Sequence, residues 1–213
     1  TIEYGSDVVL YIDRKRKWLL RVSKGRVFST DKGNVELDSI AGLHHGSRVE
    51  TSLNIRAWLL KPLLIDYLEL GIRRVTQVIY PKDLGLILML LGLTSGYRVL
   101  EIGVGTGSTT IVLANSVRPD GHVYGYEIRE EFLKVAKANL EMLNLHHYVT
   151  LKLKDAREGV DETDIDAAVV DIPDPWNVLD PLYSALKYSA PLIFFLPSIN
   201  QILKIYEALN KHG

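Results

Sequence analysis

Apolar and polar positions alternate through the first sixty residues. "DVVLYID", "KWLLRVSKG", "RVFSTDKGNVEL" and "GSRVETSLN" carry the period of two expected of half-buried strands. Asp31-Lys32-Gly33-Asn34 predicts a hairpin turn between two of them. From about Pro62 the period lengthens. "LLIDYLELG" and "KDLGLILMLLGL" have helical spacing, and Gly92 and Gly96 stop the second.

Strands and helices then take turns. Strands are expected at 97–103, 122–128, 149–155, 165–172 and 191–197, with helices at 108–117, 129–143, 177–188 and 198–211. The helix at 177–188 should break or kink at Pro181, and Gly213 stands where a C-cap belongs. Such alternation predicts right-handed βαβ units and a parallel sheet. The expected fold class is α/β: a doubly wound, Rossmann-like sheet over 61–213, preceded by a small β domain over 1–60.

Composition narrows the function. The 213 residues are 47% hydrophobic and 24% charged, as in a globular protein. There is no cysteine, so disulfides and thiolate chemistry are excluded. No run of 18 apolar residues exists, and the first residues carry no apolar signal core, so a cytoplasmic location without membrane contact is expected. The net charge of -1 hides an asymmetry. Residues 1–90 hold 14 Lys/Arg against 10 Asp/Glu, and residues 91–213 hold 11 against 16. A basic first half points to a polyanionic partner, with Arg14, Lys15, Arg16, Lys17, Arg73 and Arg74 as candidate phosphate contacts. The six histidines form no ligand pattern, so no metal is expected.

The chemistry gathers at predicted strand ends. In open α/β sheets, ligands bind beyond the carboxyl ends of the strands, at the switch point. The first of these strands ends in "EIGVGTGSTT". Its glycines, Gly103, Gly105 and Gly107, are spaced G-x-G-x-G; a dinucleotide fingerprint would need G-x-G-x-x-G, and position 108 is serine. This disfavours a nicotinamide enzyme and suits an adenosine or amino-acid ligand. Glu127 ends the second strand, where a carboxylate can take both hydroxyls of a ribose. Asp155 ends the third, where an adenine edge would lie.

"VLEIGVGTGS", "YEIRE" and "KLKDARE" resemble the S-adenosylmethionine loops of class I methyltransferases. "QVIYPKD" (77–83), "VVDIPDPW" (169–176) and the helix opening Ser198-Ile199-Asn200-Gln201 resemble something narrower, the tRNA (adenine-N1)-methyltransferases that modify adenine 58 of the T-loop. The resemblance runs from the N-terminal β unit to about residue 211. It implies S-adenosylmethionine as cofactor, tRNA as partner and a homotetramer. It also implies cofactor contacts from Gln77, Glu101, Gly103, Gly105, Thr106, Gly107, Ser108, Thr109, Glu127, Asp155, Ala156 and Asp171. Members of the family normally add two antiparallel strands, so the apolar edge strand at 191–197 is expected to be covered by further chain or by another copy.

Asp171 and Tyr80 are the catalytic candidates. Asp171 ends the fourth strand, where a methyl group would face its acceptor, and Pro173 and Pro175 stiffen its loop. Tyr80 either positions the base or fills space between the two units. Trp176 either stacks on the base or packs beneath the loop, and large aromatics favour packing. Two rival functions stay open here. A small-molecule methyltransferase of precorrin type shares the cofactor loops but has no use for Asp171 beside a basic half. A non-catalytic tRNA-binding subunit would have no need of them.

Overall fold

The computed structural model describes residues 1–212. The chain forms two compact units, divided after Ile72. Strands β1 (Asp7–Asp13), β2 (Arg16–Arg21), β3 (Val27–Thr30), β4 (Gly33–Glu36), β5 (Arg48–Glu50) and β6 (Arg56–Leu60) make up the first. Four pair in the antiparallel order β2-β1-β6-β5, and β3 and β4 form the predicted hairpin. Inward residues Val8, Leu10, Leu20, Ala57 and Leu59 build its core. β6 escapes sequence reading because its outward positions, Trp58 and Leu60, are apolar as well, which erases the period of two.

The boundary lies at 72 rather than at the expected 60. The next segment, helix α1 (Leu64–Asp66) and a π turn (Tyr67–Gly71), belongs to the first unit. Lys17 Nζ donates to Asp66 (3.3 Å) and Glu69 (2.7 Å), and the Tyr67 hydroxyl donates to Asp7 (3.2 Å). These bonds hold the segment to β1 and β2.

The second unit begins with α2 (Pro81–Leu91), ended by Gly92 in the left-handed conformation. β7 (Arg98–Ile102), α3 (Ser108–Val117), β8 (His122–Glu127), α4 (Glu130–Met142), β9 (Val149–Leu153) and β10 (Ala167–Val170) follow the expected alternation. A 3-10 turn (Pro175–Val178), α5 (Leu179–Ala185), β11 (Leu192–Phe194) and α6 (Ile199–His212) complete it. Gly213, the expected C-cap, lies outside the described residues. The helix expected from 177 starts at Leu179, and Pro181 does not kink it. Pro181 falls in the first turn, where backbone N–H groups need no intrahelical acceptor.

All five strands are parallel, in the order β11-β10-β7-β8-β9. α3 packs on β7 and β8, and α4 on β8 and β9. The chain leaves β7 towards β8 and β9, then crosses to β10 on the other side. β7 is therefore the switch point, and the ends of β8, β7 and β10 lie side by side. Every residue of β10 is buried, as a doubly covered parallel strand requires.

Leu100, at the middle of β7, is fully buried. Leu100→Ala should cost about 3 kcal/mol. Amide exchange in β7, β8 and β10 should accelerate roughly a hundredfold. Unchanged exchange would show that this strand is not the core of the unit.

Candidate active site

Where β7 ends, Gly103 adopts a φ of +93°. A Cβ there would stand 2.2 Å from the carbonyl oxygen of Asp171. Only glycine permits this approach, which sets the end of β7 directly against the end of β10. The Asp171 N–H donates to the Ile102 carbonyl (2.8 Å), closing the junction from the other strand.

Beyond the junction lies a cavity of about 650 Å³. Gly103 and Gly105 form one wall, Glu127, Ile128, Arg129 and Phe132 a second, and Asp155, Ala156 and Arg157 a third. Asp171, Ile172, Pro173 and Asp174 form a fourth, and Val75, Thr76 and Gln77 lie along the rim. Tyr126 is part of the lining and is fixed from behind. Its hydroxyl donates to Glu162 (2.6 Å) and accepts from the Asp161 N–H (2.8 Å), while Lys152 pairs with both acids.

Glu127 is held as rigidly as the strand that carries it. Oε2 accepts from the Gly105 N–H (2.9 Å), and Oε1 accepts from Ile128 N–H (3.0 Å) and Arg129 N–H (3.1 Å). The carboxyl thus links the glycine loop to the start of α4.

"IPDPW" is pinned along its length. Arg157 Nη1 donates to Asp174 (2.8 Å), and Asn177 donates to the same oxygen (2.7 Å). Gln201 of α6 donates to the Pro173 carbonyl (2.9 Å). Lys204 sits 4.9 Å from the centre of the Trp176 ring, which is half-buried and does not line the cavity. Trp176 therefore packs beneath the loop. The rigid turn and the aromatic serve to hold Asp171 still.

The Asp171 carboxyl itself has no hydrogen-bond partner among the described residues, and burial pushes its pKa up to about 6. Glu101 is more extreme. It is 1% exposed, and burial raises it to about 8, with the charges of Asp171 and Glu127 adding to the effect. Its two oxygens and the hydroxyls of Thr106 and Thr110 lack partners.

Several expected contacts lie elsewhere. Glu101, Thr106, Gly107, Ser108 and Thr109 are buried behind the cavity and do not line it. Gly107, with φ +82°, turns the chain away into α3 and packs on Ala136. Gln77, Gly103, Gly105, Glu127, Asp155, Ala156 and Asp171 do share the cavity. Asp155 is already engaged: it caps its 3-10 turn through Arg157 N–H (3.0 Å) and takes the Arg157 guanidinium (2.7 and 2.9 Å), which lowers its pKa. Tyr80 is 65% exposed at the N-cap of α2, beside a smaller hollow of about 420 Å³ lined by Arg74–Val78. Sequence reading missed Ile128, Phe132 and Arg157. Ile128 could have been found, since it directly follows the acid at the end of β8; it is 57% exposed.

A nucleoside-bearing cofactor fits this set. The volume lies within the ~300–1,000 Å³ usual for ligand sites. Gly103 keeps the wall free of side chain, Glu127 offers its carboxyl edge to a diol, and Ile128 and Phe132 offer apolar surface to a flat ring. Among the described residues, no three His, Cys, Asp or Glu side chains gather as a metal site. Among the described residues, no helix is long and apolar enough to cross a membrane.

Comparison with known proteins agrees with this geometry. A family model described as "tRNA methyltransferase complex GCD14 subunit" matches residues 65–213. The tRNA (adenine(57)-N(1)/adenine(58)-N(1))-methyltransferase of Methanocaldococcus jannaschii is 33% identical, covering 96% of this chain and 80% of that one. The crystal structure of the tRNA (m1A58) methyltransferase from Aquifex aeolicus superposes with a TM-score of 0.88 at 31% identity, covering 99% of this chain and 82% of that chain. A structure described as a SAM-dependent O-methyltransferase from Thermotoga maritima reaches 0.93 at 36% identity, covering 99% and 79%. By its family-model match and its identity to relatives along nearly its whole length, this chain belongs to the tRNA (adenine-N1)-methyltransferase family.

Proposed function

We propose that the protein methylates N1 of an adenine in the T-loop of tRNA, at position 58, using S-adenosylmethionine. One observation carries the reading: a rigidly mounted, unpartnered carboxyl, Asp171, faces the same cavity as the glycine loop and Glu127. When bound, S-adenosylmethionine supplies an electrophilic methyl group. Glu127 receives the ribose hydroxyls, Gly103 and Gly105 allow close approach, and Gln77 takes the amino-acid end.

Adenine N1 already bears a lone pair, so it needs placing more than deprotonating. The Asp171 carboxylate accepts a hydrogen bond from the exocyclic amine and orients the ring. Its charge also offsets the cation that develops as N1 is methylated, and the half-buried setting strengthens that attraction. A pKa near 6 leaves Asp171 ionised at neutral pH and a better acceptor than a solvated carboxylate. Tyr80, exposed beside the second hollow, is the proposed partner for the base. An adenine within a folded T-loop must be extruded to reach this depth.

Backbone phosphates supply the remaining affinity. Arg14, Lys15 and Arg73 are exposed and suited to this. Arg16 and Lys17 are less so, because they pair with Asp13 and with Asp66 and Glu69. A cytoplasmic homo-oligomer, with tetramer as its form, belongs to the same reading. The exposed apolar Ile199, Ile202 and Tyr206 of α6 support it.

Mass mapping of bulk tRNA after incubation with purified protein and S-adenosylmethionine should find 1-methyladenine in the T-loop. Unmodified tRNA would refute the function. Asp171→Ala should keep cofactor affinity within about threefold and slow transfer roughly 10²–10³-fold; full activity at saturation would remove Asp171 from the chemistry. Glu127→Ala should do the opposite, weakening cofactor binding while tRNA affinity holds. Calorimetry with unchanged cofactor affinity would exclude the ribose contact.

Asp171→Asn tests what the site costs the fold. An acid whose folded pKa is raised destabilises the native state above that pKa, and the penalty vanishes below the unfolded value. The variant should therefore be more stable than the parent at pH 7–8 by on the order of 2 kcal/mol, and no more stable at pH 3.5. Denaturant titrations at the two pH values decide it; an equal gain at both would point to a cause other than ionisation. In the parent, kcat/KM should fall as pH drops through about 6.

A further inference from the structure

Asn139 lies on α4, 4% exposed, well away from any solvent-facing role. A buried amide is costly unless its hydrogen-bonding groups are matched. Asn139 matches both donors and its acceptor, and every partner is main chain. Its Oδ1 accepts from the Arg73 N–H (3.0 Å), and its Nδ2 donates to the Arg73 carbonyl (2.9 Å) and to the Thr106 carbonyl (2.9 Å). One side chain thus grips two irregular segments. Thr106 sits in the glycine loop between Gly105 and Gly107. Arg73 starts the segment that carries Val75, Thr76 and Gln77 to the cavity rim and Tyr80 to the second hollow.

Side-chain packing holds the far end of that segment, where Ile79 is 2% exposed. Among the described residues, positions 75–79 make no hydrogen bond from main chain to main chain. α4 offers a firm base for the grip. One turn before Asn139, Ala136 stands so close to Gly107 that a Cβ there would lie 3.1 Å from the Ala136 Cβ. The Ala136–Asn139 face of α4 therefore backs the glycine loop, and Asn139 extends the contact to the rim segment.

We propose that Asn139 is a positioning residue for the cofactor site, setting the distance between the glycine loop and the 73–80 segment. It touches no ligand and acts through Gln77, Thr76 and the loop. The proposal rests on the reading of the cavity as an S-adenosylmethionine site. It follows that Asn139 matters for ligands that span the cavity and not for a bare nucleoside held by the Glu127 side.

The test is calorimetry with S-adenosylmethionine, S-adenosylhomocysteine and adenosine on the full chain and on Asn139→Leu, with hydrogen exchange on both. Leu keeps the volume and removes all three bonds. Expected are a tenfold or greater loss of affinity for the two cofactor forms, adenosine affinity unchanged within about twofold, and faster exchange at the Arg73 amide, whose bond to Asn139 is lost, with α3 and β7 unaffected. Equal weakening for all three ligands, or a folded variant that binds all three like the parent, overturns the proposal. If Asn139→Leu does not fold, Asn139→Asp keeps the acceptor and loses both donors, and the same split is required of it. The parent supplies a further reading: its Asn139 side-chain NH2 protons should exchange slowly, and more slowly still with S-adenosylhomocysteine bound. Unprotected protons overturn the proposal. A parent that binds no S-adenosylmethionine overturns the functional reading and the proposal with it, whereas a binding parent with an indifferent variant overturns the proposal alone.

Discussion

The main-chain contact between Gly103 and Asp171 governs the rest of the site. Two strand ends meet so closely that a single methyl group would part them. The contact decides where the glycine loop starts and where the acid loop starts, and so how far apart the two ligand-facing groups lie. Side chains then add detail. Glu127 ties the loop to α4, Arg157 ties the third strand's turn to Asp174, and Gln201 brings in the last helix. None of these could compensate for a displaced β7–β10 junction, because each takes its position from a strand or loop that the junction orders.

Much of this was legible in the chain, for physical reasons that differ by element. Ser108–Val117 could be read to the residue, since a glycine loop bounds it on one side and Arg118-Pro119 on the other. β10 announced itself as an unbroken apolar run because both its faces are covered. β6 stayed hidden because the residues facing away from its core are apolar too. The domain boundary was misplaced because the chemistry that retains 61–72 is long-range: Lys17 reaches residues 49 and 52 positions away.

Within the site, residue type and strand register located Glu127, Asp155 and Asp171 correctly at strand ends. Spacing could not say which side of the glycine loop faces the cavity. That depends on the left-handed turn at Gly107, which sends Thr106, Ser108 and Thr109 inward. Nor could it show that Asp155 is occupied by Arg157, or that Asn139 reaches Arg73, 66 positions away. Such pairs exist only once the chain is folded, and no local pattern encodes them.

The acids at the strand ends have a further consequence, for binding equilibria. Asp171 holds its proton up to about pH 6, and Glu101 behind it up to about pH 8. A positively charged ligand entering the cavity lowers the proton affinity of both. Association near those pH values therefore releases protons, and the apparent enthalpy varies with the buffer that collects them. A cation is therefore held more tightly as pH rises through about 6, where Asp171 gives up its proton, and an uncharged ligand of the same shape gains nothing from that change.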